Sequence, residues 1–175
     1  MVLFNHFSFG KEDIPSPDEI LSEFMEFEFN GGCISKNGLV SDDRVVMDFG
    51  YYRPEYLVKI ARRIVVEFPE VIPSNYAICA SLLRVMPGSE EQEMHQDSPY
   101  GSKYWHLFIP LTQHRGQGTT AFSGGLLPPR GCKNYMFDGR EFHFGQSNRS
   151  KEERAVLVFA ICDQGYYTGH VSVLE

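Results

Sequence analysis

The chain reads as a mainly β protein, a sandwich with helices ahead of it, and three observations lead there. After Pro73 the sequence breaks into short runs rich in β-branched and aromatic residues, at 76–86, 104–112, 119–122, 135–137, 140–144 and 155–162. Pro87-Gly88, Gly116, Gly124-Gly125, Pro128-Pro129 and Asp138-Gly139 punctuate them. Many short strands at that spacing indicate a sandwich or barrel rather than a parallel α/β sheet. Before Pro73 the apolar residues recur at helical spacing instead. Finally, 175 residues, 42% hydrophobic and 14% aromatic, suffice for one domain with a real core and are too few for two ordinary ones.

The helices come first. Pro17-Asp18-Glu19 opens one, with acids in its first turn and Ile20, Leu21 and Phe24 on an apolar stripe. Pro54-Glu55 opens a second, in which Leu57, Ile60, Ala61, Ile64, Val65 and Phe68 recur at helical spacing up to Pro69. The expected organisation is a single domain, 1–175. Its parts are an N-terminal helical and irregular support (1–75), a β core (76–162) and a C-terminal tail (163–175). No internal repeat or low-complexity tract interrupts it.

Charge narrows the function classes. The formal net charge is -7, and acids concentrate before position 95, whereas a nucleic-acid binder presents a basic stripe to phosphates. Lys59, Arg62 and Arg63 are the one basic group and read as a solvated helix face. The four cysteines, Cys33, Cys79, Cys132 and Cys162, show neither a CxxC pair nor a cysteine–histidine ligand spacing. A reducing compartment fits them best. The first residues lack a signal-peptide pattern and no segment approaches ~20 apolar residues, so the expectation is a cytoplasmic protein without a membrane span. Asn148-Arg149-Ser150 matches a glycosylation sequon, which carries no weight without export.

The stretch Glu93-Met94-His95-Gln96-Asp97-Ser98-Pro99 raises a metal question. On an extended strand alternate side chains share a face, so His95 and Asp97 can reach one cation while Gln96 points away. Six histidines and eight aspartates give such a pair by chance roughly one time in four, so it needs support. A mononuclear iron site of the oxygenase kind needs a second histidine, because two imidazoles and one carboxylate on one face leave positions open. His106, His114 and His170 are candidates, but His143 is the best placed, in a strand expected to form a hairpin after the Asp138-Gly139 turn. Downstream, Arg154 begins an apolar strand. A guanidinium there is costly if buried unpaired and wants an anion, such as the far carboxylate of a dicarboxylate cosubstrate. The plain alternative is a surface pair with Glu152, Glu153 or Glu141.

His95-Gln96-Asp97, the run FIPLT followed by QGTTAF at 117–122, and FDGREFHFGQSNRSKEERAVLVF at 137–159 together resemble the core of Fe(II)/2-oxoglutarate-dependent dioxygenases. The HQD and the H…N-x-S…R order, with Arg154 eleven residues after His143, are similar to the phytanoyl-CoA dioxygenase family. QGTTAF resembles the G-x-T-x-F stretch of prolyl hydroxylase relatives. The resemblance covers about residues 80–162 and implies a double-stranded β-helix, the jelly-roll or cupin-like sandwich. It implies His95, Asp97 and His143 as iron ligands, Arg154 as anchor of the 2-oxoglutarate carboxylate, and Thr120 as a hydroxyl contact to that cosubstrate. Fe(II) and 2-oxoglutarate are the implied cofactors, with room for ascorbate.

Gly145, two after His143, is a departure: such enzymes often carry a hydroxyl residue there. The activity implied is oxidative decarboxylation of 2-oxoglutarate to succinate and carbon dioxide, coupled to hydroxylation of a small-molecule or peptide substrate. A carboxylate at position 97 argues against halogenation, where a small residue leaves room for halide. The expected mouth is framed by 98–104, 113–118 and 124–134, with Tyr104 and Trp105 as core or rim aromatics. From another class comes a non-catalytic sandwich serving as a binding module, favoured by Gly145 and a short N-terminal segment and opposed by the intact triad. Repair of alkylated nucleic acid shares the triad but lacks a basic face. The glycines at 116, 118, 124 and 125 lack the Lys-Ser/Thr and βαβ context of a phosphate loop, and turns account for them.

Overall fold

The computed structural model describes residues 1–5, 7, 9, 14–29, 43–50, 52–98, 103–112, 120–163 and 172–174. His114, His170 and Cys33, weighed above, lie outside the described residues, as do positions 99–102 and 113–118 of the expected mouth. Two helices and eight strands are described: β1 (Val2–Phe4), α1 (Pro17–Phe29), β2 (Arg44–Asp48), α2 (Glu55–Glu67), β3 (Tyr76–Val85), β4 (Tyr104–Pro110), β5 (Thr120–Phe122), β6 (Tyr135–Asp138), β7 (His143–Gly145) and β8 (Arg154–Asp163).

Six strands form one antiparallel sheet in the order β1-β6-β4-β8-β3-β2, and β5 and β7 form a second, smaller one. The fold is a mainly β double-stranded β-helix with flanking helices, as expected. Two details differ. The large sheet reaches outside 76–162, because β1 and β2 supply its two edges. Both are short and flank polar stretches, so their β character is weak in isolation and is imposed by pairing with β6 and β3. The expected hairpin after Asp138-Gly139 does not form. β6 is already paired on both sides, by β1 and β4, so the chain crosses at 139–142 to the other sheet and β7 pairs with β5.

The two helices cover one face of the large sheet. In α2, Leu57, Ile60, Ala61 and Ile64 are at most 1% exposed, one stripe pressed onto Met47, Ile78, Leu82, Leu157 and Phe159. Outward-facing Lys59 and Arg63 pair with Glu55 and Glu67 one turn away, at 3.1 and 2.7 Å, which accounts for the basic group as a solvated face. The start of α1 carries a capping box: Glu19 N donates to Ser16 Oγ (3.3 Å) and Ser16 N to Glu19 Oε2 (2.8 Å). No described helix is long and apolar enough to cross a membrane.

β8 is the centre. Nine of its ten residues are buried, because helices cover one face and the second sheet the other, and its sequence is accordingly a continuous apolar run. Residues opposite one another in the antiparallel ladder share a face. The rows that point away from the helices therefore include Arg44, Val85 and Arg154; Asp48, Ser81, Val158, Phe108 and Tyr135; and Cys79, Ala160, His106 and Phe137. This inner face carries the site.

The turn before β8 hangs on Asn148, 2% exposed. Its Nδ2 donates to Val85 O and Glu152 O, both at 2.9 Å, while its Oδ1 accepts from Ser150 N (3.2 Å) and Ser150 Oγ (2.7 Å). The sequon asparagine is therefore a buried tie rather than an accessible acceptor. Asn148→Ala leaves buried carbonyls unpaired and is expected to cost about 2–3 kcal/mol by urea denaturation, whereas exposed Arg149→Ala should cost about 0–0.5. Equal midpoints for the two variants would remove Asn148 from that role.

Candidate metal centre and anion pocket

His95 and His143 face each other across a single antiparallel bridge. His95 N donates to His143 O and His143 N to His95 O, both at 2.9 Å. On its other side His143 lies opposite Phe122 of β5. Opposed residues share a face, so both imidazoles point into the sandwich, with ring centroids 4.6 Å apart. Asp97, two along the strand from His95, joins them, and its N donates to Gly139 O at 2.9 Å. One donor atom from each of the three residues falls within 4.8 Å of the others. His143 is buried, while His95 and Asp97 are open on the cavity side. Gln96 turns away, its Nε2 donating to Arg140 O at 2.5 Å.

Both rings have a fixed tautomer. His95 Nδ1 lies 2.8 Å from Glu93 O, and His143 Nδ1 lies 2.8 Å from Glu141 O. A carbonyl oxygen can only accept, so each Nδ1 carries the proton and each Nε2 presents a lone pair. Those lone pairs face Asp97: His95 Nε2 is 3.6 Å from Oδ1 and His143 Nε2 is 3.2 Å from Oδ2. Three electron-pair donors converging without a proton between them repel one another, and a divalent cation removes the repulsion. The backbone acceptors behind the rings are the outer support that histidine ligands ordinarily have. Burial opposes a charge on Asp97, but the His106 and His143 imidazoles beside it outweigh that and hold the carboxyl well below its ordinary range. In its ionised form it could serve as a ligand.

The cavity has a volume of about 780 Å³ and runs from the three donors along the inner sheet face to a pair of arginines. Arg154, 5% exposed, donates through Nη2 to Gln146 O at 3.0 Å, and its Nη1 is buried without a partner. Of the carboxylates suggested as its surface partners, Glu153 holds Arg84 at 2.6 Å and Glu141 meets the Met1 amine. Burial, reinforced by the charge of Arg44, pushes the Arg154 guanidinium down to about 10. Thr120 Oγ1 and Tyr135 OH are 3.0 Å apart on the same cavity wall, and burial pushes the Tyr135 phenol up to about 12, against the pull of Thr120 and Arg154.

Sequence reasoning missed Arg44 and Tyr135. Arg44, 3% exposed, donates through Nη2 to Glu90 O (2.6 Å), Gly145 O (3.2 Å) and Gln146 O (2.9 Å). It shares the Gln146 acceptor with Arg154, and among the described residues neither forms a salt bridge. Gly145 is explained by the same arrangement. A Cβ there would stand 2.6 Å from Arg44 Nη1 and 2.4 Å from Gln92 Oε1, which accepts from Gly145 N at 2.9 Å. The space that a hydroxyl residue would fill holds an arginine. The expected mouth segment 124–134 contributes nothing to the described lining; its place is taken by 92–97.

No model of a protein family matches the chain, and no curated protein matches it. Solved structures do. AviO1 from Streptomyces viridochromogenes Tue57 superposes with a TM-score of 0.62 at 16% identity, over 93% of this chain and 90% of that one. The non-heme alpha ketoglutarate dependent epimerase SnoN from nogalamycin biosynthesis gives 0.59 at 14%, over 84% and 72%. A 2OG-Fe(II) oxygenase family oxidoreductase from Burkholderia pseudomallei gives 0.52 at 16%, over 87% and 81%. At these identities the likeness is one of fold: the chain has the jelly-roll architecture of 2-oxoglutarate/Fe(II) oxygenases.

Proposed function

We propose that the chain is an Fe(II)- and 2-oxoglutarate-dependent dioxygenase that hydroxylates a small molecule. The observation that carries the reading is the pair of Nδ1-protonated imidazoles turning bare Nε2 atoms toward Asp97. His95, Asp97 and His143 would hold the iron, and two imidazoles with one carboxylate are the donor set that non-haem Fe(II) oxygenases use. Bound iron and 2-oxoglutarate would supply oxygen-dependent decarboxylation to succinate and carbon dioxide, coupled to oxidation of a substrate C–H bond.

The chain's own residues bind and exclude. Arg154 Nη1, an unpaired buried donor, would take the distal carboxylate of the cosubstrate, with Thr120 Oγ1 and Tyr135 OH as hydroxyl partners and Arg44 adding a second positive charge. The apolar walls, Phe108, Val156, Val158 and Ala160, keep water from the space between anion end and metal end. A cavity of about 780 Å³ is within the range of small-molecule sites, which favours a compact substrate over a peptide. The order of HQD, H, N-x-S and R supports kinship with the phytanoyl-CoA dioxygenases. Epimerase and carbocyclase are the outcomes named for SnoN and SnoK, which share the fold, so hydroxylation here rests on the sequence resemblance.

Anaerobic Fe(II) titration should give a visible metal-to-ligand charge-transfer band when 2-oxoglutarate is added and none without it. His95→Ala or His143→Ala should abolish both the band and the turnover of 2-oxoglutarate, assayed with ascorbate as reductant, while circular dichroism stays that of the wild type. A band unchanged in both variants would refute the ligand set.

Arg154→Lys keeps the charge but loses the two-pronged geometry, so the KM for 2-oxoglutarate should rise at least tenfold with iron affinity little changed. Arg154→Ala should nearly eliminate coupled turnover. Equal 2-oxoglutarate affinity in wild type and both variants, at fixed iron and without oxygen, would sink the anchor role.

A further inference from the structure

His106 is a buried histidine that the reading above leaves without a task. It lies in β4 opposite Ala160 and Phe137, on the inner face, and is 6% exposed. Tyr104, Phe137 and Phe108 surround its ring, with centroids at 4.6, 5.1 and 5.6 Å. Neither ring nitrogen completes a hydrogen bond as the side chains stand. One charged acceptor is within reach: Asp97 Oδ2, 2.8 Å from Nε2, off the line of the N–H. His106 is not one of the residues whose donor atoms cluster within 4.8 Å, so it stands behind the carboxylate rather than around the cation position.

A carboxylate oxygen only accepts, so a 2.8 Å contact with Nε2 is attractive when that nitrogen carries the proton. This is the opposite tautomer from His95 and His143, whose protons are held on Nδ1 by Glu93 O and Glu141 O. Three imidazoles around one carboxylate thus divide into two roles. Two present lone pairs, and one presents an N–H. A carboxylate left to itself turns and offers a cation either oxygen or both. A donor fixed on Oδ2 leaves Oδ1, the oxygen on the His95 side, as the ligand atom.

We propose that His106 is a positioning residue for the metal: through Nε2–H it holds the Oδ2 oxygen of Asp97, so that Asp97 binds the cation through Oδ1. The role rests on the metal-site reading. The aromatic ring cage supplies rigidity, because a donor that cannot swing away fixes the carboxylate that meets it. A core histidine with no such role would matter for stability and leave the metal unaffected.

The test uses Co(II) as the probe, read by its visible d–d absorption and by titration. His106→Phe keeps a ring in the cage and removes the donor. His106→Gln restores an N–H, and His106→Met matches glutamine in length without one. The Phe and Met variants should bind Co(II) about ten- to a hundredfold more weakly, with shifted d–d bands, and Gln should stay within a few-fold of wild type. If His106→Phe fails to fold by circular dichroism, the Gln and Met pair decides. Equal Co(II) affinity and identical spectra in those two overturn the proposal. Wild-type protein that binds no Co(II), or binds it unchanged after His143→Ala, overturns the metal site and the His106 role with it; loss of binding in His143→Ala, with no difference between Gln and Met, overturns His106 alone.

Discussion

Two backbone hydrogen bonds of 2.9 Å, exchanged between His95 and His143, are the constraint on which the site depends. They join a segment with no other strand character to a strand of three residues, and they fix the register at which two imidazoles share a face. A slip of the 93–97 segment by one residue would turn the His95 ring outward and bring Met94 or Gln96 in. Each such bond contributes about 1 kcal/mol net, so two are not enough alone. The register holds because the connection continues on either side. Gln92 N donates to Gly145 O and Gly145 N to Gln92 Oε1, while Asp97 N donates to Gly139 O, all at 2.9 Å. Phe122, opposite His143 on β5, seats the ring against the apolar layer between the sheets.

Much of this was legible in the sequence, and the residues that were not share a cause. The strand runs after Pro73 carried their β-branched pattern locally, so their existence needed no tertiary knowledge. His95, Asp97, His143 and Arg154 were singled out because their order and spacing resembled a known core. Arg44 sits in Ser-Asp-Asp-Arg-Val-Val, and the acids before it mask a five-residue strand whose partner, β3, begins 32 positions later. The β-branched pair Val45-Val46 was the available signal. Tyr135 and His106 were seen as strand residues, but their meaning depends on which strand lies alongside. Sheet order β6-β4-β8 supplies that, and no local pattern encodes it.

The misread hairpin shows the same limit from the other side. Asp138-Gly139 is a turn signal, and a turn does form: Glu141 N donates to Asp138 O at 2.9 Å, and Asp138 binds Arg140 through its carboxylate. Turn chemistry says that the chain reverses or bends. It does not say which strand receives it. With β6 flanked by β1 and β4, the receiving edge was β5, and that crossing is what carries His143 over to the small sheet.

The protein is acidic overall, yet the two guanidiniums at the far end of its cavity form no salt bridge among the described residues. Such a pair is tolerated because backbone dipoles do part of what an anion would do. Arg44 Nη2 alone faces three carbonyls, and Gln146 O serves both arginines. Carbonyls cannot neutralise a charge, so the depressed basicity of Arg154 records what remains uncompensated. Lone pairs converge at the opposite end, around Asp97. A neutral ligand would answer neither end. A cation held by His95, Asp97 and His143 together with a ligand that carries a carboxylate toward Arg154 would answer both. This polarity, rather than any single residue, is the strongest physical argument for a dicarboxylate in the cavity. It also explains why Gly145 is free of a side chain: a larger residue there would displace Arg44 from the anion end.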